Sequence, residues 1–248
     1  RKSNMQLKKI AVIGGDERFA VCADLFSQKN CECAVYGLEK SNMLSAATRS
    51  ATIKDALSSC DAVILPLPVS KNNSEIFTPL SDLKITSDDI SKYLGKKCII
   101  FSGSDSSILK KGFDHNRIIT YTDSKDFAIL GSVPTAECAI SLAVLHSRRT
   151  CSGSKYLVVG CGTVGKQLSL LASKMGATVF VSARKSEDFA WIEAQQLKAL
   201  KTYQLSDCDK SFDVIFNTIP YQIFTNSSIK TAKGKPLYVE IASAPFGI

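Results

Sequence analysis

The sequence predicts an α/β chain of two doubly wound parallel sheets joined by a helix, and three observations carry that reading. First, short apolar runs alternate with helical patterns along most of the 248 residues. That alternation suits a parallel sheet with helices on both faces. Second, Lys155-Tyr-Leu-Val-Val-Gly160-Cys-Gly162-Thr163-Val164-Gly165-Lys166 ends an apolar run in glycines spaced G-x-G-x-x-G and then opens a helical pattern. This is the fingerprint of a dinucleotide-binding, Rossmann-like βαβ unit. Third, a similar strand, turn and helix begin the chain, but without the third glycine. The length allows one large or two ordinary domains. The reading adopted is a Rossmann-like or flavodoxin-like substrate domain over 1–133, a helix and linker over 134–150, and a dinucleotide domain over 151–248.

Taken in order, Leu7 to Ile13 reads as a strand closed by Gly14-Gly15, residues 17–28 as a helix and Glu32 to Tyr36 as a second strand. The turn Gly14-Gly15-Asp16-Glu17-Arg18 would set Asp16 against any phosphate, so this half is expected to lack a cofactor. Asp61 to Leu65 is a buried strand stopped by Pro66-Leu67-Pro68, and residues 70–90 have no clear period. Lys97 to Phe101 is a strand ending in Ser102-Gly103-Ser104, and 105–111 suggests a short helix. Arg117 to Tyr121 and Phe127 to Leu130 suggest edge strands. Pro134 then precedes a helix from Ala136 to His146, with Thr135 as N-cap and Glu137 in the first turn, where a carboxylate suits the dipole. That helix is apolar on most sides, which predicts burial between domains. Ala177 to Ser182 is the second strand of the dinucleotide domain, and residues 187–197 are helical. Phe212 to Asn217 and Pro236 to Ile241 are further strands. One more strand and helix would be expected after them.

Each fingerprint glycine has a separate role. Gly160 turns the chain, Gly162 lets backbone approach a pyrophosphate and Gly165 lets the helix lie close to the sheet. The helix N-terminus, with Thr163 and Val164, offers N–H groups to phosphate. NAD sites usually carry a carboxylate at the end of the second strand. Here that place reads Ser182-Ala-Arg184-Lys185-Ser186. Two cations and two hydroxyls suit the extra 2′-phosphate of NADP, and Arg can grip it through paired hydrogen bonds.

Composition narrows the function classes. Net charge is +8, spread through both halves with no basic run interleaved with aromatics, which disfavours nucleic acid and suits small anions. No 18-residue apolar run occurs, so no membrane span is expected, and a cytoplasmic location is. Nine scattered cysteines without a C-x-x-C and two histidines supply no metal pattern, so no metal is expected and the thiols read as reduced.

In open α/β sheets ligands lie beyond the C-terminal strand ends. That rule selects Asp16 and Arg18, Pro66 to Ser70, and Ser102 to Ser104 in the first half. In the second it selects the Gly160 loop, Asn217-Thr218-Ile219-Pro220, and Glu240 to Pro245. The cleft between domains would be lined by these and by Pro134-Thr135.

Several of these stretches resemble the A subunit of bacterial dipicolinate synthase. They are Ile10-Ala-Val-Ile-Gly-Gly-Asp16-Glu-Arg18, Ile100-Phe-Ser-Gly103, Val133-Pro-Thr-Ala-Glu137, the Gly160 loop followed by Ser182-Ala-Arg184, Asn217-Thr-Ile-Pro220 and Ile241-Ala-Ser243. The resemblance spans nearly the whole chain. It implies NADP-dependent oxidation of a dihydrodipicolinate species, from the lysine pathway, in the mother cell of a sporulating bacterium. It also implies a flavoprotein-like partner, the B subunit of dipicolinate synthase. The resemblance leads one to expect an Arg after the last strand's Ser, but the chain has Ser243-Ala-Pro245.

The residues agree with such a substrate, a planar dicarboxylate needing donors at both ends. Arg18 is the candidate for one carboxylate, against an ion pair with Asp16 or Glu17. Ser102, Ser104 and the Gly103 N–H are candidates for the other, against a simple turn. Thr135 either reaches substrate or caps its helix, Glu137 either accepts a proton or faces the dipole, and Ser243 completes the candidate catalytic set. His115 and His146 follow no cofactor-domain strand, which disfavours alcohol oxidation through a histidine base. Two alternatives remain. One is another two-domain dehydrogenase on a small anion, needing a cleft Lys or His, for which Lys71 is the loop candidate. The other is a nucleotide-sensing protein without turnover.

Overall fold

The computed structural model describes residues 7–104, 107–114, 117–205, 211–225 and 234–243. The chain divides into two compact units, Arg1–Ser124 and Lys125–Ile248.

The first unit is one parallel sheet of β1 (Lys9–Ile13), β2 (Glu32–Tyr36), β3 (Thr48–Arg49), β4 (Ala62–Ile64), β5 (Ile99–Ser102) and β6 (Ile118–Thr120), in the order β3-β2-β1-β4-β5-β6. Its helices are α1 (Glu17–Gln28), α2 (Ile53–Leu57), α3 (Ser87–Tyr93) and α4 (Ser107–Gly112). Strand alternation splits the apolar residues between two faces. Ile10 and Val12 point into a core with Phe19 and Ala23 of α1. Ala11 and Ile13 point the other way, into a core with Leu57, Ile90 and Leu109. Asp16 is the N-cap of α1 and Thr86 forms a capping box with Asp89 on α3.

The second unit opens with α5 (Lys125–Ser147), and this corrects the sequence reading twice. Phe127 to Leu130 is helical rather than an edge strand, and Pro134 lies inside the helix rather than ahead of it. The position expected as a domain edge, residue 133, is therefore mid-helix. Proline cannot donate to the carbonyl four residues back. That carbonyl is Leu130 O, and neighbouring hydroxyls bond the carbonyls on either side of it: Thr135 Oγ1 donates to Gly131 O at 2.9 Å and Ser132 Oγ to Ile129 O at 2.6 Å. Thr135 is thus a back-bonding residue and no N-cap, and Glu137 is outside any first turn.

Nor is α5 buried all round. Ser132, Ala136, Ala139, Ile140 and Ala143 form one buried stripe, while Leu130 and Leu145 are 71% and 70% exposed. At 23 residues, with an 18-residue window of mean hydropathy 1.7, α5 is long and apolar enough to cross a membrane by length and composition. Its small-residue stripe instead joins the core beneath the second sheet.

That sheet contains β7 (Lys155–Val159), β8 (Thr178–Ala183), β9 (Lys198–Lys201), β10 (Val214–Asn217) and β11 (Leu237–Glu240), all parallel, in the order β11-β10-β7-β8-β9. The helices α6 (Thr163–Lys174) and α7 (Ser186–Ala194) link β7 to β8 and β8 to β9. The strand β9 had no counterpart in the sequence reading, because lysines flank its two apolar residues, as is common at a sheet edge. Both sheets reverse strand order beside their first strand, between β1 and β4 and between β7 and β10.

Candidate nucleotide and substrate sites

The mouth of the second sheet is built by three glycines under three different constraints. Gly160 has φ +104°, and a Cβ on it would stand 2.6 Å from Thr218 Oγ1. A Cβ on Gly165 would stand 2.2 Å from Gly160 O, so the helix can lie this close only with glycine there. Gly162 differs: it is the N-cap of α6, and a Cβ on it would meet nothing within 4 Å. No side chain caps α6. Its first N–H groups therefore face an open space with the partial positive charge of a helix start. Thr163 is exposed and Val164 half-buried on that first turn. A cavity of about 480 Å³ opens beside it, lined by Gly162, Thr163, Lys166 and Trp191 with Ile129 and Ser132 of α5. Lys166 is held there by Asp188 at 3.1 Å, over the Trp191 ring.

Two residues expected to touch the cofactor are supports instead. Ser182 is fully buried; its Oγ accepts the Gly160 N–H at 3.2 Å and a bond from Thr202 Oγ1 at 3.2 Å. It holds the loop from beneath and cannot reach a 2′-phosphate. Asn217 is also fully buried. Its Nδ2 donates to Ile219 O and to both Glu240 oxygens, and its Oδ1 accepts from the Ile219 N–H. It shapes the turn that presents Thr218 and Pro220. Thr218 in turn donates through both N and Oγ1 to Val159 O, at 3.0 and 2.8 Å.

Arg184, Lys185 and Ser186 stand together in solvent at the end of β8. Lys185 pairs at 3.7 Å with Glu187, an exposed contact of little energetic weight. Arg184 has no hydrogen bond or ion pair among the described residues.

At the mouth of the first sheet, Asp16 and Arg18 are joined. Arg18 Nε donates to Asp16 Oδ1 at 2.9 Å and Nη2 to Oδ2 at 2.8 Å, while Nη2 also donates to Leu67 O at 2.9 Å. The Arg18 guanidinium holds the Asp16 carboxyl below its ordinary pKa. Gly14 and Gly15 donate their N–H groups to Tyr36 O and Phe77 O, both at 2.8 Å. Neither glycine amide of this turn is therefore spare for a phosphate.

Ser102, expected as a ligand, is fully buried; its Oγ donates to Ser104 O at 2.8 Å and accepts the Ser104 N–H at 3.3 Å. The Ser102 hydroxyl therefore serves the turn, bonding the Ser104 backbone on both sides. Gly103 is enclosed: a Cβ would lie 2.7 Å from Leu67 Cβ and from the Tyr121 hydroxyl. Tyr121 itself was missed by the sequence reading, which ended a strand on it. Burial pushes its phenol up to about 12, so it stays protonated beside Arg18.

The candidate catalytic set is not assembled by any contact among the described residues. Thr135 is bonded within α5, Glu137 is exposed, and Ser243 is exposed with no hydrogen bond among those residues. His115 and the Ala244-Pro245 departure lie outside the described residues. Lys71 sits 4.3 Å over the Phe77 ring. Among the described residues no three His, Cys, Asp or Glu side chains gather as metal ligands.

Fold and mouths together define a chain of two Rossmann-like units, one of which has a glycine loop leading into an uncapped helix. Residues 9–122 match the family of N-terminal domains of the dipicolinate synthase A subunit. The curated A subunit of dipicolinate synthase from Bacillus subtilis (strain 168) is 28% identical over 243 residues, covering 96% of this chain and 82% of that protein. The solved A chain of dipicolinate synthase from Bacillus subtilis aligns with TM-score 0.81 at 27% identity, covering 100% of this chain and 84% of that one. The solved A subunit from Bacillus halodurans matches with TM-score 0.84 at 26% identity, covering 97% and 84%. Over nearly its whole length the chain is similar to dipicolinate synthase A subunits.

Proposed function

We propose that the chain is the nucleotide-binding subunit of a dipicolinate synthase, oxidising a dihydrodipicolinate species to dipicolinate with NADP, together with a flavoprotein-like B subunit. The observation that carries the nucleotide half of this reading is Gly162, open at an uncapped helix start while Gly160 and Gly165 are closed in. The family likeness carries the substrate half.

The residues fit the cofactor. The N–H groups at the start of α6 receive the pyrophosphate, and Ser182 fixes Gly160 so that they converge. Arg184 and Lys185 receive the 2′-phosphate; a carboxylate in that place would repel it. The nicotinamide ring, when bound, supplies the acceptor for a hydride from the dihydropyridine. Arg18 offers Nη1 to a substrate carboxylate, because Asp16 and Leu67 O already hold Nε and Nη2 and fix the plane of the guanidinium. Glu137 and Thr135 remain candidates for the acid–base work, and Ser243 for contact with substrate. Ring aromatisation itself favours loss of the proton, so water suffices as acceptor and no histidine is required.

The test mixes the purified chain, alone and with the B subunit, with NADP and dihydrodipicolinate, and follows the absorbance of reduced nicotinamide. Growth of that absorbance in either mixture is expected. Its absence from both, with nucleotide still bound, would leave a sensing protein without turnover.

A further inference from the structure

Cys60 and Cys98 stand side by side in the first unit, Sγ to Sγ 3.4 Å. Register brings them together. Strands β4 and β5 pair Ala62 with Ile99, and the Ile99 N–H donates to Asp61 O at 2.9 Å. The residues just ahead of two adjacent parallel strands are therefore neighbours. Both backbones are held in place. Cys60 N–H donates to Leu57 O at 3.4 Å and Cys98 N–H to Gly95 O at 3.1 Å. Arg117 clamps Cys98 O through Nε at 2.9 Å and Nη2 at 2.8 Å. Cys60 is 8% exposed and Cys98 1%, so Cys60 is the residue more open to solvent. A disulfide has its sulfurs about 2.05 Å apart, so the pair must close by roughly 1.3 Å.

We propose that Cys60 and Cys98 are a modification site, a dithiol that hydrogen peroxide converts to a disulfide in the folded protein and that reductant restores. The nucleophile is Cys60. The hydrogen bond from Cys98 holds its thiol below the ordinary range, and the same bond pushes Cys98 up. The Cys60 thiolate attacks one peroxide oxygen, the O–O bond breaks, and hydroxide leaves to take up the released proton as water. The Cys98 sulfur then attacks the resulting sulfenic sulfur, the S–O bond breaks, and the Cys98 proton leaves with the hydroxyl as a second water. Two thiols and one peroxide become one disulfide and two waters.

The bond would tie the turn after α2 to the start of β5. It would close a loop spanning a sequence separation of 38 that carries Leu67, whose carbonyl holds Arg18. Cross-linking such a loop restricts the unfolded chain.

The experiment treats the folded full chain with hydrogen peroxide, blocks the remaining thiols after denaturation, and maps peptides without reductant. The expected result is one peptide pair joined through Cys60 and Cys98, a mass loss of two hydrogens, and reversal by dithiothreitol. The thermal midpoint of the oxidised form should rise by roughly 5–10 °C. Cys60→Ser and Cys98→Ser should each remove the joined pair. If the folded wild-type chain oxidises at other cysteines with no Cys60–Cys98 pair, the proposal is overturned. A joined pair that forms only after thermal unfolding overturns it equally, and neither result depends on the variants folding.

Discussion

Gly162 and Gly165 lie three residues apart and answer to opposite constraints. The position of Gly165 is packed, with a Cβ landing 2.2 Å from Gly160 O, so Gly165→Ala should cost about 2–3 kcal/mol in urea unfolding. The position of Gly162 is open and its backbone is extended, so Gly162→Ala should leave stability unchanged. The added methyl would instead stand where pyrophosphate approaches, and nucleotide affinity should fall at least about tenfold by calorimetry. Equal loss of stability in both variants would mean that Gly162 has only a packing role. Arg184→Ala should weaken NADP about tenfold or more and leave NAD nearly unchanged, because only NADP carries the phosphate this side chain would grip. Asp24 gives a pH effect. Burial would raise its carboxyl, but bonds from Ser45, Ala46 and Ala47 outweigh that and lower its pKa to about 2. A carboxyl lowered by folding stabilises above its unfolded pKa and loses that stability as pH falls through the folded one. Acid unfolding between about pH 4 and 2 should therefore be shallower in Asp24→Asn, which should also cost about 2 kcal/mol at neutral pH. Residues of this kind show where sequence reasoning stops. Strand-end position was legible for Ser102, Ser182 and Asn217, but burial was not. All three face inward and support the loops that Gly103, Gly160 and Thr218 form.

At the scale of elements, β1, β2, β4, β5 and β7 were legible because each is a short apolar run closed by Gly, Pro or Ser, and α1 was found at its observed bounds. The short strands β3 and β9 were missed, and the segment from Phe127 onward was misassigned. Four apolar residues in a row fit a strand or a buried helix equally well, and Pro134 suggested a helix start by its preference for the first turn. The helix nevertheless runs through Pro134, with the hydroxyls of Ser132 and Thr135 bonding the carbonyls of Ile129 and Gly131 on either side of Leu130 O. Pro134→Ala restores the missing N–H and should stabilise the chain by about 1 kcal/mol, less than proline usually costs mid-helix. Destabilisation on that change would show that the proline is needed where it stands. The buried stripe of α5 allows a second test. Ala143 is fully buried against the second core, so Ala143→Leu should cost about 1–3 kcal/mol by overpacking. At exposed Leu145, by contrast, Leu145→Ala should cost little.

On the scale of the whole molecule, two parallel sheets share a topology but differ at their mouths. The first closes its glycine amides on Tyr36 O and Phe77 O and places a carboxylate at the helix start. The second leaves its helix start uncapped and sets two cations at the next strand end. This difference, together with the net charge of +8, suits a chain that handles anionic small molecules. It was legible from the presence or absence of one glycine, since a third glycine at that spacing is what brings helix and strand into contact. The most direct measurement is calorimetric titration of the purified chain with NADP and with NAD. Binding of both, with NADP tighter by at least about tenfold, is the expected result. No heat with either nucleotide, or tighter binding of NAD, would contradict the assignment of the second mouth.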